Sequence, residues 1–402
     1  MENHLYYRTI KNINNPENIK IGELKHLLKK EISDLDKEIH EAFPLEVLGD
    51  YETVLKVNGA NALLKYFSMV DAKKIDLIRT LENIEYIGFD EQNKNIILNF
   101  KEHFPNNKED NLKATGVYEF TTTFLDQLFE INKYIRFCLK NGYRDPIREN
   151  LEYLMEKKQD VEKQYRLIEK NNKWYIRSLT STRYNNYDNH IAIYLVLWAF
   201  HRYAVNGGDP YTFTEGYLSD SEIRLYFETA KTIKIEGFGE LHFGALISNS
   251  EIGEKKFSLE LSYRITDFAK KHSFNALPSL TDSIFQIQHG AKISTLTKRL
   301  ESLNSIENTH KDMVKFIRNI GEIKKLSADS LYLLYKKMTN NTRQLSTSTK
   351  NNFKELYNEN IINNTMTIIE VFDRTKEITT DIDERIQIER IYHEILKEIT
   401  ER

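Results

Sequence analysis

Seven of the chain's fifteen glycines (Gly207, Gly208, Gly216, Gly237, Gly239, Gly244 and Gly253) crowd into one short stretch, and no proline follows Pro278. Glycine permits tight turns and close backbone approach, whereas a chain without proline has little to interrupt a helix. Together these facts divide the sequence into a turn-dense centre and a helical C-terminal part, in which only Gly321 follows Gly290. Within the centre, Phe257, Leu259, Leu261, Tyr263 and Ile265 alternate with Ser258, Glu260, Ser262 and Arg264. That period of two predicts a strand with one buried and one wet face. Residues 174–179, 231–235 and 241–248 read as further strands, and 190–203 as a helix. Ser219 and Glu222 have capping-box spacing, which predicts a short helix running to Ala230.

The N-terminal part mixes both periods. Apolar residues at three- and four-residue steps predict a helix over 21–39. A strand is expected over 51–57, a helix over 60–81, and a hairpin from 86–89 and 96–100. A polar loop over 105–111 precedes helices over 122–139 and from Pro146 to about residue 169, broken at Asn141 and Gly142. Near the C-terminus, Leu296, Leu300, Leu303, Ile306, His310, Met313, Ile317 and Ile320 form a seam close to a heptad, read as one long helix that packs in a bundle or pairs as a coiled coil. Ser327 can cap a helix to Met338, residues 346–352 read as a loop, and helices are expected over 353–372 and 381–399. The fold class is therefore α+β: an N-terminal α+β domain (1–110), a helical connector (111–170), a glycine-punctuated antiparallel β-rich module (171–290) and a C-terminal helical domain (291–402). A chain of 402 residues exceeds what one core usually serves.

Composition bounds the function. Cys138 is the sole cysteine and no secretory leader opens the sequence, so a reducing, cytoplasmic setting is expected. The longest apolar run, residues 191–200, is about half of a bilayer span, which points to a buried helix and no membrane partner. A net charge of −3 gives no overall pull toward nucleic acid, but residues 311–350 carry nine Lys or Arg against three acids. Lys324, Lys325, Lys336 and Lys337 lie there beside Phe316, Tyr332 and Tyr335, a mixture suited to nucleic acid, although core packing also explains the aromatics. There is no phosphate-binding glycine loop, dinucleotide fingerprint or nucleophile elbow.

Two motifs stand out. Residues 174–189 contain Arg177, Ser181, Arg183, Tyr184, Asp188 and Asn189 in the order R-x-x-x-S-x-R-Y-x-x-x-D-N, and residues 243–253 contain Gly244, Ile247, Ser248, Asn249, Ser250, Glu251, Ile252 and Gly253. The first resembles the opening of an uncharacterised family of phage- and plasmid-encoded proteins, and the second its G-x-x-I-S-N-S-E-V-G turn. The resemblance spans residues 174–265 and departs from the family beyond Asp267, where a cysteine and Asn-Gly are lacking. It implies association with mobile elements, conflict systems or their DNA, and it transfers no catalytic residue.

The polar motif residues admit two readings. In the structural one, Asp188 and Asn249 close turns and Glu251 pairs with Arg183 or Arg177. In the binding one, Arg177 and Arg183 grip phosphate, Tyr184 and Tyr187 stack on bases, and Asp188, Asn249, Ser250 and Glu251 complete the site. His190, His201 and His242, with Asp209, Glu222 and Glu240, lack any zinc spacing, so no metal or cofactor is assigned. The preferred expectation is a non-enzymatic nucleic-acid-binding protein of phage or plasmid origin, handling single strands or recombination and oligomerising through its C-terminal helices. One alternative is a protein-interaction or ligand-sensing component of an anti-phage defence or counter-defence complex. Another is a divergent metal-dependent nuclease using Asp209, Glu222 and Arg224.

Overall fold

The computed structural model describes residues 4–401 except 12, 14–16, 30–32, 102–110, 254–255, 280–284, 302–305 and 341–343. In chain order, β1 (Tyr7–Ile10), α1 (Asp34–Ala42), β2 (Val57–Asn58) and α2 (Ala60–Ser68) come first. Strands β3 (Lys74–Thr80), β4 (Ile84–Phe89), β5 (Ile96–Lys101) and β6 (Asn111–Gly116) follow, then α3 (Phe120–Phe129), α4 (Asn132–Asn141) and α5 (Arg144–Lys157). The hairpin of β7 (Glu162–Lys170) and β8 (Lys173–Thr180) leads to α6 (Asn189–Val205). The centre is β9 (Tyr211–Ser219), β10 (Glu222–Ile235), β11 (Gly239–Ser250), β12 (Phe257–Thr266), β13 (Ser273–Ala276) and β14 (Phe285–Ile287). The remainder is α7 (Ile293–Glu301), α8 (Ile306–Ile323), α9 (Ala328–Thr339), α10 (Thr347–Asn358), α11 (Ile368–Thr375) and α12 (Ile382–Thr400).

These elements make a mixed α+β fold with antiparallel sheets and C-terminal helices. One sheet runs β1-β9-β10-β11-β12-β13, with β14 also on β12 and β2 parallel to β9. The other runs β3-β7-β8-β6-β5-β4 and is parallel only where β6 meets β8. Strands β1 and β2 from the N-terminus join the central sheet, and β6 pairs with β8 across position 170. Helix α6 is apolar all round because the sheet and the N-terminal segment enclose it. Phe200 meets Phe227 edge-on at 5.1 Å, and Tyr194 and Trp198 donate to the carbonyls of Phe43 and Pro44.

Several expectations are corrected. Residues 222–230 are strand: Ser219 Oγ does accept from Glu222 N at 2.8 Å, but it closes the β9–β10 turn, and Ile223, Leu225 and Phe227 then alternate into the core. The helix expected over 60–81 stops at Ser68 and gives way to β3, and that expected to residue 169 stops at Lys157 before β7. Residues 51–57 contribute only Val57 to a strand, and 21–39 form a 3₁₀ turn (Ile21–His26) and the start of α1. Ser346 accepts from Thr349 N and so caps α10, where a loop was expected. Helices α10 and α11 replace the single one over 353–372, because Thr367 and Glu370 build a capping box that starts a new helix. The hairpin β4–β5, the strands β8, β11 and β12, and helices α6, α9 and α12 lie where periodicity placed them.

Tertiary packing decides two further points. The polar face of β12 is buried, not wet: α12 lies against that side of the sheet, with Arg390 on Glu260, Arg385 on Glu215, Tyr226 on Glu389 and Arg224 on Asp383. The heptad-like seam is spent inside the chain, with Leu296, Leu300, Ile306, Met313, Ile317 and Ile320 all buried in the main core. It is divided between α7 and α8, and Leu303 lies outside the described residues, as do Arg343 and, but for Asn111, the loop expected over 105–111.

One glycine of the dense stretch is required by close approach. A Cβ on Gly239 would come within 2.4 Å of the Thr266 carbonyl oxygen on the neighbouring strand. Gly239→Ala is expected to lower unfolding free energy by about 1–3 kcal/mol through forced strand separation, read from a urea midpoint shift. An unchanged midpoint would show that the β11–β12 register yields freely.

Candidate ligand-binding site

The two sequence motifs meet where the sheets face each other. Strand β8 brings Arg177, the loop after it Tyr184, the start of α6 Asp188 and Asn189, and the end of β11 Asn249, Ser250 and Glu251. Between β7 and β8 the register slips: Arg166 pairs with Ser178, but Leu167 pairs with Ile176, so Arg177 is the extra residue of a bulge. Both Ile176 and Leu179, three apart, therefore reach the α3–α5 core, while Arg177 is turned toward the other sheet.

Charged residues fill the junction. Glu251 is fully buried and receives Arg177 Nη1 on one oxygen; the other takes Lys74 Nζ at 2.9 Å and the Asn189 amide at 3.0 Å. Arg166 forks onto Asp76 through Nε and Nη2 at 3.0 and 3.2 Å, shares Nη2 between both oxygens of Asp188 at 2.8 Å, and donates to the Glu251 carbonyl. Burial alone would raise the Glu251 carboxyl, but Lys74, Arg177 and Arg166 outweigh it and hold the group well below the usual carboxylate range. Burial would lower Lys74, and Glu251 keeps it above its ordinary value. Burial, with Glu251 and Asp76 nearby, pushes Asp188 up despite Arg166. Asn249 donates to the Tyr187 carbonyl and to Asn189 Oδ1, and Tyr187 is buried with its hydroxyl on the Ala291 carbonyl.

Most of the motif residues thus clamp the two sheets together. Glu251 pairs with Arg177, one of the two partners expected, while Arg183 stands exposed in the loop. Asp188 and Asn249 do not close side-chain turns: Asp188 opens α6 without a capping bond and binds Arg166. Tyr187 is too deeply buried to stack on a base. Periodicity predicts helix across β7 and β3 and so does not single out Arg166, Lys74 and Asp76. The signal present was Tyr165 and Leu167 alternating with Gln164 and Arg166.

Arg177 differs from the other clamp residues. Its Nη1 is used by Glu251 and by the Asp220 carbonyl at 2.9 Å, but Nε and Nη2, the two donors along one edge of the guanidinium, have no partner among the described residues although the side chain is fully buried. Unmatched buried donors are rare and costly. Arg177 lines a cleft of about 400 Å³ with Lys163, Ser178, Thr180, Ser181, Tyr184 and Gly253. The Tyr184 hydroxyl is also buried without a partner, its ring stacks on His289 at 4.9 Å, and burial keeps the phenol protonated. Gly253, at φ 83°, sits against that hydroxyl, a conformation that favours glycine. The cleft is of small-molecule size, and its free fork matches the two oxygens of a carboxylate or phosphate.

The basic tail is less concentrated than its sequence. Lys324 and Lys325 lie in the turn after α8, and Lys336 and Lys337 at the far end of α9. Lys337 is neutralised by Glu394 and Glu398 at 3.0 and 2.9 Å, and Lys336 sits over the Tyr332 ring at 4.9 Å. Phe316 and Tyr335 pack against the core. Among the described residues no three His, Cys, Asp or Glu side chains are grouped to hold a metal ion: His190 bonds Asp36, His201 takes the Lys56 amide, and Glu222 pairs with Arg224. No helix among them is long and apolar enough to cross a membrane. No family model, curated protein or solved structure matches this chain.

Proposed function

We propose that this chain is a non-enzymatic ligand-binding protein whose cleft at the junction of the two sheets takes a small molecule bearing a carboxylate or phosphate. The observation that carries this reading is the unpaired Nε/Nη2 edge of buried Arg177, which lines the cleft together with Tyr184, whose hydroxyl is likewise buried without a partner. The clamp around it supplies rigidity: Nη1 is held by Glu251, so the guanidinium plane is set before any ligand arrives. The same Glu251 anchors the start of α6, which gives an occupied cleft a path to the central sheet. Ligand sensing in a phage- or plasmid-related setting, implied by the motif resemblance, belongs to this proposal.

The test is thermal unfolding with inorganic phosphate, succinate and a nucleoside monophosphate at millimolar concentrations. At least one is expected to raise the midpoint, since a ligand bound at 100 times its Kd adds about 2.7 kcal/mol. Arg177→Lys keeps the charge near Glu251 but removes the fork, and Tyr184→Phe removes only the hydroxyl. The ligand-induced shift, taken from each variant's own baseline, should vanish in the first and shrink in the second. No shift with any probe, or equal shifts in Arg177→Lys, would overturn the reading.

A further inference from the structure

A second surface, separate from the cleft, lies on the α4–α5 helical hairpin. Helix α4 turns Ile135 and Cys138 to the core, and α5 turns Ile147, Leu151 and Met155. The opposite side leaves Tyr134, Phe137, Tyr143 and Tyr153 exposed at 40, 58, 51 and 58%. Four large aromatics on one hairpin are not needed by its core, and an exposed aromatic cluster marks a contact surface.

The charges around them identify the partner. Residues 131–148 carry Lys133, Arg136, Lys140, Arg144 and Arg148 against Asp145, with Glu149 and Glu152 following on α5. Phe137 and Tyr143 meet with ring centres 6.2 Å apart, and each adjoins an arginine that is held in place. Arg136 donates to the Lys94 carbonyl at 2.9 Å and Arg144 to Asn93 Oδ1 at 2.8 Å, both in the β4–β5 turn. Fixed guanidiniums beside exposed rings offer phosphate contacts and stacking faces within one nucleotide's reach. A protein partner reading this surface would meet exposed aromatics rather than aliphatics, with Lys133, Arg136, Lys140 and Arg144 around Phe137 and Tyr143 and the glutamates set along α5 beside Tyr153. The charge complementarity favours a polyanion with flat bases.

We propose that the α4–α5 hairpin binds single-stranded nucleic acid, with Phe137 and Tyr143 stacking on bases and Lys133, Arg136, Lys140 and Arg144 contacting phosphates. This surface does not depend on the cleft or on the lysines of the C-terminal helices. Duplex DNA binds more weakly because its bases are already stacked.

The experiment is fluorescence anisotropy of the full chain with a labelled oligothymidylate of about 20 nucleotides, and with a duplex of the same length, from 50 to 200 mM salt. Tight single-strand binding that weakens steeply with salt is expected. Phe137→Ala with Tyr143→Ala should weaken it by about 10- to 100-fold while leaving the thermal midpoint in place, since both rings are more than half exposed. Lys133→Glu with Lys140→Glu should flatten the salt dependence by roughly one unit of slope for each lost contact. No binding at the lowest salt would overturn the proposal and give the surface to a protein partner. Binding unchanged in the aromatic pair, or equal for duplex and single strand, would also overturn it.

Discussion

Glu251→Gln is expected to lower the unfolding free energy by about 3–5 kcal/mol, the usual loss when one member of a buried ion pair is removed. Glutamine preserves the shape and can still accept from the Asn189 amide, but it leaves Arg177 as a buried cation without its anion and Lys74 with Asp71 alone. Because Glu251 joins β3 and β8 of one sheet to β11 and α6 of the other, the loss should appear as separation of the two sheets. Amide exchange should accelerate at Asn189 and along β8 together with the fall in urea midpoint. The exposed pair Arg148–Glu152, 3.9 Å apart, provides the contrast, and Arg148→Ala should shift the midpoint by about 0.5 kcal/mol or less. The same carboxylate makes the fold acid-sensitive. Its folded pKa lies well below that of an unfolded glutamate, so its contribution is complete above the unfolded value. That contribution declines as pH falls toward the lowered folded value. A Glu251→Gln protein as stable as wild type would mean that the clamp is not what joins the sheets.

Acidification from pH 6.5 to 4 is expected to destabilise the protein by about 2–3 kcal/mol through His310 alone. The His310 ring lies face to face on Phe243 at 3.8 Å, mostly buried, with Nε2 lacking a partner among the described residues. Burial lowers its pKa to about 4. The sign follows from that depression. The unfolded histidine gains a proton near pH 6.5 while the folded one refuses it until about 4, so the unfolded state binds more protons between those values and stability falls with pH. Below about pH 4 both states are charged and the loss levels off. His310→Phe keeps a flat ring on Phe243 but cannot titrate, so the difference between wild-type and variant unfolding curves isolates this group. The variant should gain on wild type steadily from pH 6.5 downward. Parallel curves would place the wild-type imidazole in water and contradict the stacking.

The junction of the two sheets was partly legible in the sequence. The two motifs drew attention to Arg177, Tyr184, Asp188, Asn249 and Glu251, and the structure brings these residues to one junction. Their roles were not legible. A motif gives residue types in order, but whether an arginine binds a ligand or a glutamate depends on which donors remain free after packing, and Arg177 does both along different edges. Arg166 and Lys74 were invisible because β7 and β3 carry polar residues at positions that face another sheet. Their alternation is short and joins the apolar spacing of the neighbouring helices, so both segments pass for helix.

The sequence by itself determined the local elements wherever apolar residues form a run or recur at a strand or helix period, or where backbone chemistry leaves no choice. The hairpin β4–β5, the apolar helix α6, the Ser327 cap of α9, and the period-two pattern of β12 all follow from neighbours within a few residues. Only the tertiary structure decided what covers each face. Whether the polar side of β12 meets water or α12, whether the α7–α8 seam closes within the chain, and which sheet the first strands join all depend on contacts between residues far apart in sequence. Such contacts leave no period in the chain. Their stability comes from charges and surfaces that match only after the backbone has brought them together.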